Sequence, residues 1–352
     1  MAVLGGFARG EHVPPRRETD EANLVKITLP DGSTAWLVTD FDAVRAGLAD
    51  PRLSLSRANS TGGYTGFKLP PALDRNLLNL DPPDHTRLRK LVAGAFSGRR
   101  VSGMRDKIQA TADRLLDGLT GTVDLMAAYA APLPIITIGD LLGVPADRVE
   151  EFRGWTDAMM TTASRDAITS MYQFMLDLIA AKRTTPADDL ISAMIEARDG
   201  AERLSEEELL SLAFLILLVG HENSVHLIAN SILRLFDGPA DTEELLRVAN
   251  PNLHAIRRFP TEDVEIGGET IPKGQTVLLG IQAANESSTQ HLTFGAGIHY
   301  CVGAPLARME LEIAVETLFR RFPHATLATD TLTWRESFRS RGLRELPVTL
   351  TS

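Results

Sequence analysis

Residues 205–236 read as a single helix, the longest in the chain, because apolar residues recur there at spacings of three and four. Ser205 followed by Glu208 is a capping-box pattern that marks its start. The apolar run Leu209–Val219 raises the question of a membrane span. Ser211 breaks that run and Gly220, His221 and Glu222 end it, so it reads as too short to cross a bilayer. The chain is therefore expected to be a soluble protein organised around one long helix. The same periodicity runs through Asp42–Ala49, Leu88–Phe96, Met104–Leu119, Arg148–Met160, Ile168–Ala181, Asp188–Arg198 and Pro305–Phe322. Strand-like runs occupy Leu24–Leu29 and Ala35–Thr39 around Pro30-Asp31-Gly32. They return in Asp263–Leu279 around Gly267-Gly268 and Pro272-Lys273-Gly274. The expectation is a predominantly α-helical fold with small β-sheets, an α+β class. With no internal repeat or flexible linker, residues 1–352 form a single domain, its small β-rich part at about 20–40 plus 263–280.

A net charge of -10 argues against a nucleic-acid partner, which would call for an excess of Lys and Arg on one face. Cys301 is the only cysteine, so no internal disulfide can form. The N-terminal MAVLGGFARGEHVPPRRE carries no long apolar region before a cleavage site. Both features fit a cytoplasmic protein without a membrane anchor.

Cys301 lies in the stretch FGAGIHYCVG, after Gly295 and Gly297 and just before a helix opening with Ala304-Pro305. At a helix N-terminus, unpaired N–H groups and the positive end of the dipole favour a thiolate, the form that attacks carbon or binds metal. Gly303 removes a side chain two residues on, as if something flat lay close to the backbone. A buried apolar cysteine is the plain alternative. A cysteine nucleophile is another, though His299 is badly placed to serve it. Structural zinc is weaker, since no second cysteine or histidine pair stands nearby. A metal cofactor taking one protein thiolate remains.

FGAGIHYCVGAPLARME resembles the haem-ligand loop of the cytochrome P450 monooxygenases, with Phe294, Gly295, Gly297, Cys301 and Gly303 in the motif's places. The resemblance is to the soluble bacterial, particularly actinobacterial, branch. It implies haem b (protoporphyrin IX iron) held between the long helix and the cysteine loop, with Cys301 as axial ligand to the iron and Phe294 shielding its sulfur. LLVGHENS resembles the oxygen-activation segment: Gly220 and Glu222 fit, whereas Asn223 and Ser224 depart from the usual pair of alcohols. On this resemblance Gly220 makes room for dioxygen, and either Ser224 with water takes over proton relay or the enzyme relies less on controlled protonation. Glu244 and Arg247 resemble the family's structural Glu-x-x-Arg pair. His85 and Arg89, one of Arg257 or Arg258, with Arg258 favoured by spacing, and His299 resemble the donors to the haem propionates.

The resemblance further implies a ferredoxin and its reductase as electron source, docking near Arg87, Lys90, Arg99 and Arg100. It also implies a monomer acting on a secondary metabolite such as a polyketide, macrolide or peptide, by hydroxylation, epoxidation or oxidative coupling. The pocket is expected from the loop before Asp81, the region Trp155–Met175 with Met159, Met160, Met171 and Met175, the helix at Leu215–Val219, the segment after Arg247 and the turn near Phe338. A non-catalytic haem sensor or carrier, and a metal-free cysteine enzyme, are the alternatives. Two segments look deleted against the family, near 237–242 and 285–290. Either this is a reduced member or residues are missing from the sequence there.

Overall fold

The computed structural model describes residues 23–29, 31–62, 76–162, 165–199 and 204–351. The N-terminal segment, Pro30, most of the loop before Asp81 and the side chains of Met159 and Met160 lie outside the described residues.

The long helix spans Glu206–Leu235 and starts as its sequence requires. Ser205 Oγ accepts from the Glu208 N–H at 3.1 Å, and Glu208 Oε2 accepts from the Ser205 N–H at 2.8 Å. The helix as a whole is long and apolar enough to cross a membrane, which the run Leu209–Val219 alone had not suggested. His221, Glu222 and Asn223 interrupt the run without ending the helix. Its apolar surface is instead covered by protein: Pro132–Leu142, Arg165–Thr184 and Ala304–Arg321 all pack on it. Ala304–Arg321 in turn rests on Arg105–Leu116, and all these helices contribute to the main core.

Pro132–Leu142 gave no periodic signal, for a physical reason. Its sequence PLPIITIGDLL is buried all round, from Pro132 and Leu133 to Leu141 and Leu142, so no polar face alternates with an apolar one. It is entered through a wide turn, Met126–Ala130, and closed by Gly143 in the left-handed conformation at φ 77°.

The sheets are small. Leu24–Thr28 and Thr34–Val38 form an antiparallel hairpin, and Val277–Leu279 adds to it in parallel, Trp36 facing Val277. Val264–Ile266 and Glu269–Ile271 make the second hairpin. Gly121–Asp124, Pro347–Leu350 and Thr326–Leu327 form a further sheet, and Leu53–Ser54 pairs with Phe259–Pro260. Neither of these last two has a sequence signal, because their strands are two to four residues long. A second core, including Val38, Val44, Leu48, Val277, Leu279 and Leu292, ties the first sheet to the helix Phe41–Ala49 and to the chain leading into the cysteine loop.

Candidate functional site

The loop Phe294–Gly303 is folded back on itself ahead of the helix Ala304–Arg321. Gly295 and Gly297 have φ of 73° and 68°, a region glycine enters without steric cost. Gly297 has a second reason to lack a side chain: a Cβ there would lie 2.8 Å from Ala49 Cα, so the loop sits directly on Phe41–Ala49. A tight turn, Gly297–His299, then brings the Cys301 N–H to Phe294 O at 2.9 Å. Cys301 is thereby fixed at the start of the helix, with the Gly303 and Ala304 N–H groups directed at its sulfur.

By surface area Cys301 is exposed, yet the protein around it is dense enough that burial is the largest influence on its thiol. The two facts agree if the side chain opens into an internal cleft rather than onto the outer surface. Burial pushes the thiol pKa up, against the two N–H groups and Arg89. The N–H groups of the helix start do favour the thiolate, and desolvation outweighs them. A positive centre at the sulfur would reverse the balance. A Cβ on Gly303 would meet only Cys301 Sγ, at 3.9 Å, so the backbone there borders open space.

Four donors converge near the thiol. His85 and Arg89 stand one turn apart on Asp84–Ala95, His299 comes from the cysteine loop, and Arg258 from the strand-side segment. The His85 and His299 rings lie 4.0 Å apart, centroid to centroid. Burial first, then Arg258, His85 and Arg89, push His299 down to about 3, and burial with Arg89 lowers His85. Arg258, buried and lowered to about 10 mainly by desolvation, gives Leu53 O one bond at 3.3 Å while its Nε has no partner. His85 Nδ1 is likewise unpartnered. Among the described residues the carboxylate acting on His85 and Arg258 is Asp81, and it already accepts from Ser54 Oγ and from the Leu55 N–H at 2.9 Å. A largely buried group of two guanidinium ions and two imidazoles is therefore short of negative charge. Arg257, equally buried, instead donates to Leu78 O and, at 2.7 Å, to Asn79 Oδ1. Position 258, not 257, joins the cluster.

Phe294 is half-buried beside the loop, in edge contact with His291 and Tyr300 and with Arg308 above its ring at 5.9 Å. Glu244 and Arg247 form a two-point ion pair at 2.8 Å, and Arg247 also donates to Asn285 O and Ser288 O.

On the long helix, Val219 keeps 39% of its surface exposed amid buried neighbours. Glu222 and Asn223, three and four residues on, share that uncovered face and are half-buried. Gly220 answers to packing: a Cβ would lie 2.6 Å from Ile138 Cδ1. Ser224 is buried and hydrogen-bonds to the carboxyl of Glu310 on Ala304–Arg321, so its hydroxyl turns away from the face of Glu222 and Asn223. Glu310 was missed in the sequence, although it occupies a core register among Leu306, Met309, Ile313 and Ala314. An acid in such a slot is the signal that could have found it.

Two residues of the expected basic docking patch are engaged within the protein. Arg87 is paired with Glu208 of the capping box, and Arg100 is held by Ala95 O and by Asp188 at 3.2 Å. Lys90 and Arg99 remain exposed. Among the described residues no group of three or more His, Cys, Asp or Glu side chains is gathered to hold a bare metal ion.

The cytochrome P450 family model matches residues 282–347. The chain is 39% identical over 398 residues to cytochrome P450 107B1 of Saccharopolyspora erythraea, covering 99% of this chain and 97% of the relative. It is 38% identical to 6-deoxyerythronolide B hydroxylase of the same organism, covering 91% of each. The structure of the ligand-free P450 monooxygenase TamI superposes with a TM-score of 0.84 at 39% identity, over 94% of this chain and 89% of that one.

Proposed function

The chain belongs to the cytochrome P450 family, and from that premise we propose that it is a haem-thiolate monooxygenase of secondary metabolism. Members of this family bind haem b, and bacterial members generally take electrons from a ferredoxin and its reductase. The observation that carries the reading is the pairing of one cleft-facing thiol with four donors that lack counter-charge. A flat ring bearing a metal and two carboxylates answers both deficits at once.

Haem b, when bound, supplies activation of dioxygen and insertion of one of its oxygen atoms into the substrate. Cys301 Sγ would hold the iron, and the Gly303 and Ala304 N–H groups would temper its charge. Arg89, Arg258, His85 and His299 would hold the propionates, with His85 Nδ1 and Arg258 Nε among the donors still available. Phe294 would cover the sulfur from the loop side, and the bond between Glu244 and Arg247 fastens the segment on which the loop rests. Val219, Glu222 and Asn223 present the helix face toward the substrate. The class of substrate we favour is a polyketide, macrolide or peptide, in keeping with relatives named as hydroxylases. For the ferredoxin, Lys90 and Arg99 are the basic residues left exposed.

Reduced protein under carbon monoxide should show the absorption band of a haem-thiolate, and Cys301→Ser should lose it while keeping its helical circular dichroism. Colourless purified protein would sink the reading in favour of a metal-free cysteine enzyme. With a ferredoxin, its reductase and NADPH, an oxidised product is expected from a panel of macrolides and peptides. NADPH use without any product would favour a haem sensor or carrier.

A further inference from the structure

The long helix is uncovered over one short window. Residues 209–217 and 224–233 are buried, whereas Leu218, Val219, Glu222 and Asn223 between them are not. These four recur at spacings of one turn and so share one helix face. The window lies close to the thiol. Ser224, next to Asn223, hydrogen-bonds to Glu310, which stands six residues past Ala304 on the helix that begins just beyond Cys301. Six residues rise about 9 Å along a helix axis, so the open face of the long helix and the open side of Cys301 border one cleft.

Three of the four side chains offer a substrate no hydrogen to bond. Leu218 and Val219 are apolar, and a carboxylate such as that of Glu222 only accepts. Asn223 carries two N–H donors and an acceptor oxygen, and among the described residues no hydrogen bond engages its amide. A half-buried amide without a partner forfeits bonds that water would give it, and so does a substrate oxygen carried against an apolar wall. Each deficit is met by the other. We propose that Asn223 is a substrate anchor: its amide donates to a carbonyl, ether or hydroxyl oxygen of the substrate and so decides which carbon is presented for oxidation. The substrate class that fits is an oxygen-bearing ring or chain, such as a macrolactone, rather than a plain hydrocarbon. The proposal rests on the monooxygenase reading and narrows it. An amide does not pass a proton on near neutral pH, so position 223 holds the substrate instead of serving as a relay.

The test uses the holoenzyme and two probes of equal ring size, pentadecanolide and cyclohexadecane, each titrated by the change in haem absorption on binding. Asn223→Leu keeps the volume and removes the donors. It should weaken lactone binding relative to hydrocarbon binding by about threefold to tenfold, the worth of one net hydrogen bond, and Asn223→Gln should recover part of the loss. With ferredoxin, reductase and NADPH, the unsubstituted enzyme should oxidise the lactone at few ring positions and Asn223→Leu should spread oxidation over more of them. An unchanged affinity ratio in Asn223→Leu, an unchanged product distribution, or no binding of the lactone to the unsubstituted enzyme overturns the proposal. Asn223→Ala serves in place of Asn223→Leu should the latter not fold. The carbon monoxide band must be present in every protein compared. Its absence from the unsubstituted one would remove the haem reading itself, whereas an unchanged ratio with the band intact removes only the anchor.

Discussion

Arg257 and Arg258 are neighbours, equally buried, and the sequence offers no physical ground beyond spacing to separate them. Their fates differ because the strand at Phe259–Pro260 sends alternate side chains to opposite sides, one to the carbonyl of Leu78 and the other toward His85 and His299. Two other residues show how burial overrides composition. His221 and His226 lie inside the long helix's packing surface, lowered to about 4 and about 3 by desolvation and by Arg335, with Arg153 also acting on His221. His226 Nε2 faces Arg335 at 3.3 Å, and Gly342 makes room for its ring, since a Cβ there would lie 2.3 Å away. The folded state therefore holds both imidazoles neutral. Their stabilisation is complete above the unfolded value of about 6.5 and is lost as pH falls toward the folded values. Between pH 6.5 and 5 the unfolding free energy should decline by about 1 kcal/mol per pH unit for each histidine, with a shallower slope in His226→Gln. Urea unfolding across that interval checks it, and equal slopes for the two proteins would contradict it.

At the scale of elements, the long helix and Pro132–Leu142 touch most closely where Gly220 meets Ile138, so helix separation is set by a missing side chain. Gly220→Ala should cost about 1–3 kcal/mol of overpacking, and Ile138→Val, which removes the methyl at 2.6 Å, should restore part of it. A double-mutant cycle by chemical unfolding reads the coupling; additive losses would show that the helices yield independently. This crossing also shows where the sequence was legible. The long helix was readable to within a residue because Ser205 and Glu208 cap it, and the cysteine loop because two left-handed glycines and a helix-opening proline leave few conformations. Pro132–Leu142 was not, having no polar face, and the strands Leu53–Ser54 and Phe259–Pro260 were too short to show alternation. Ser224 was read as a relay residue, but its direction toward Glu310 depends on which helix lies behind it, which no local pattern encodes.

At the scale of the whole molecule, the helix that follows the first shortened segment packs against the second. The alignment with cytochrome P450 107B1 spans 398 positions against 352 residues here, so at least 46 positions have no counterpart in this chain. On one side of the junction stands the helix Thr242–Val248, on the other Ile281–Glu286, and they pack together. Arg247 donates to Asn285 O and Ser288 O, Asn285 Nδ2 returns a bond to Arg247 O at 3.1 Å, and Thr293 Oγ1 reaches Leu246 O at 2.6 Å. Glu243 binds both His291, at 3.2 Å, and Arg308. The second shortened segment therefore has its backbone carbonyls at Asn285 and Ser288 satisfied without any further layer of chain. We propose on this ground that the reduced form is the protein itself. Proteolytic peptides of the polypeptide from its native source that cross 237–242 and 285–290 should have the masses calculated from this sequence. Extra residues mapping within those two stretches would show instead that an additional layer covers this face and that the closure belongs only to the shorter chain.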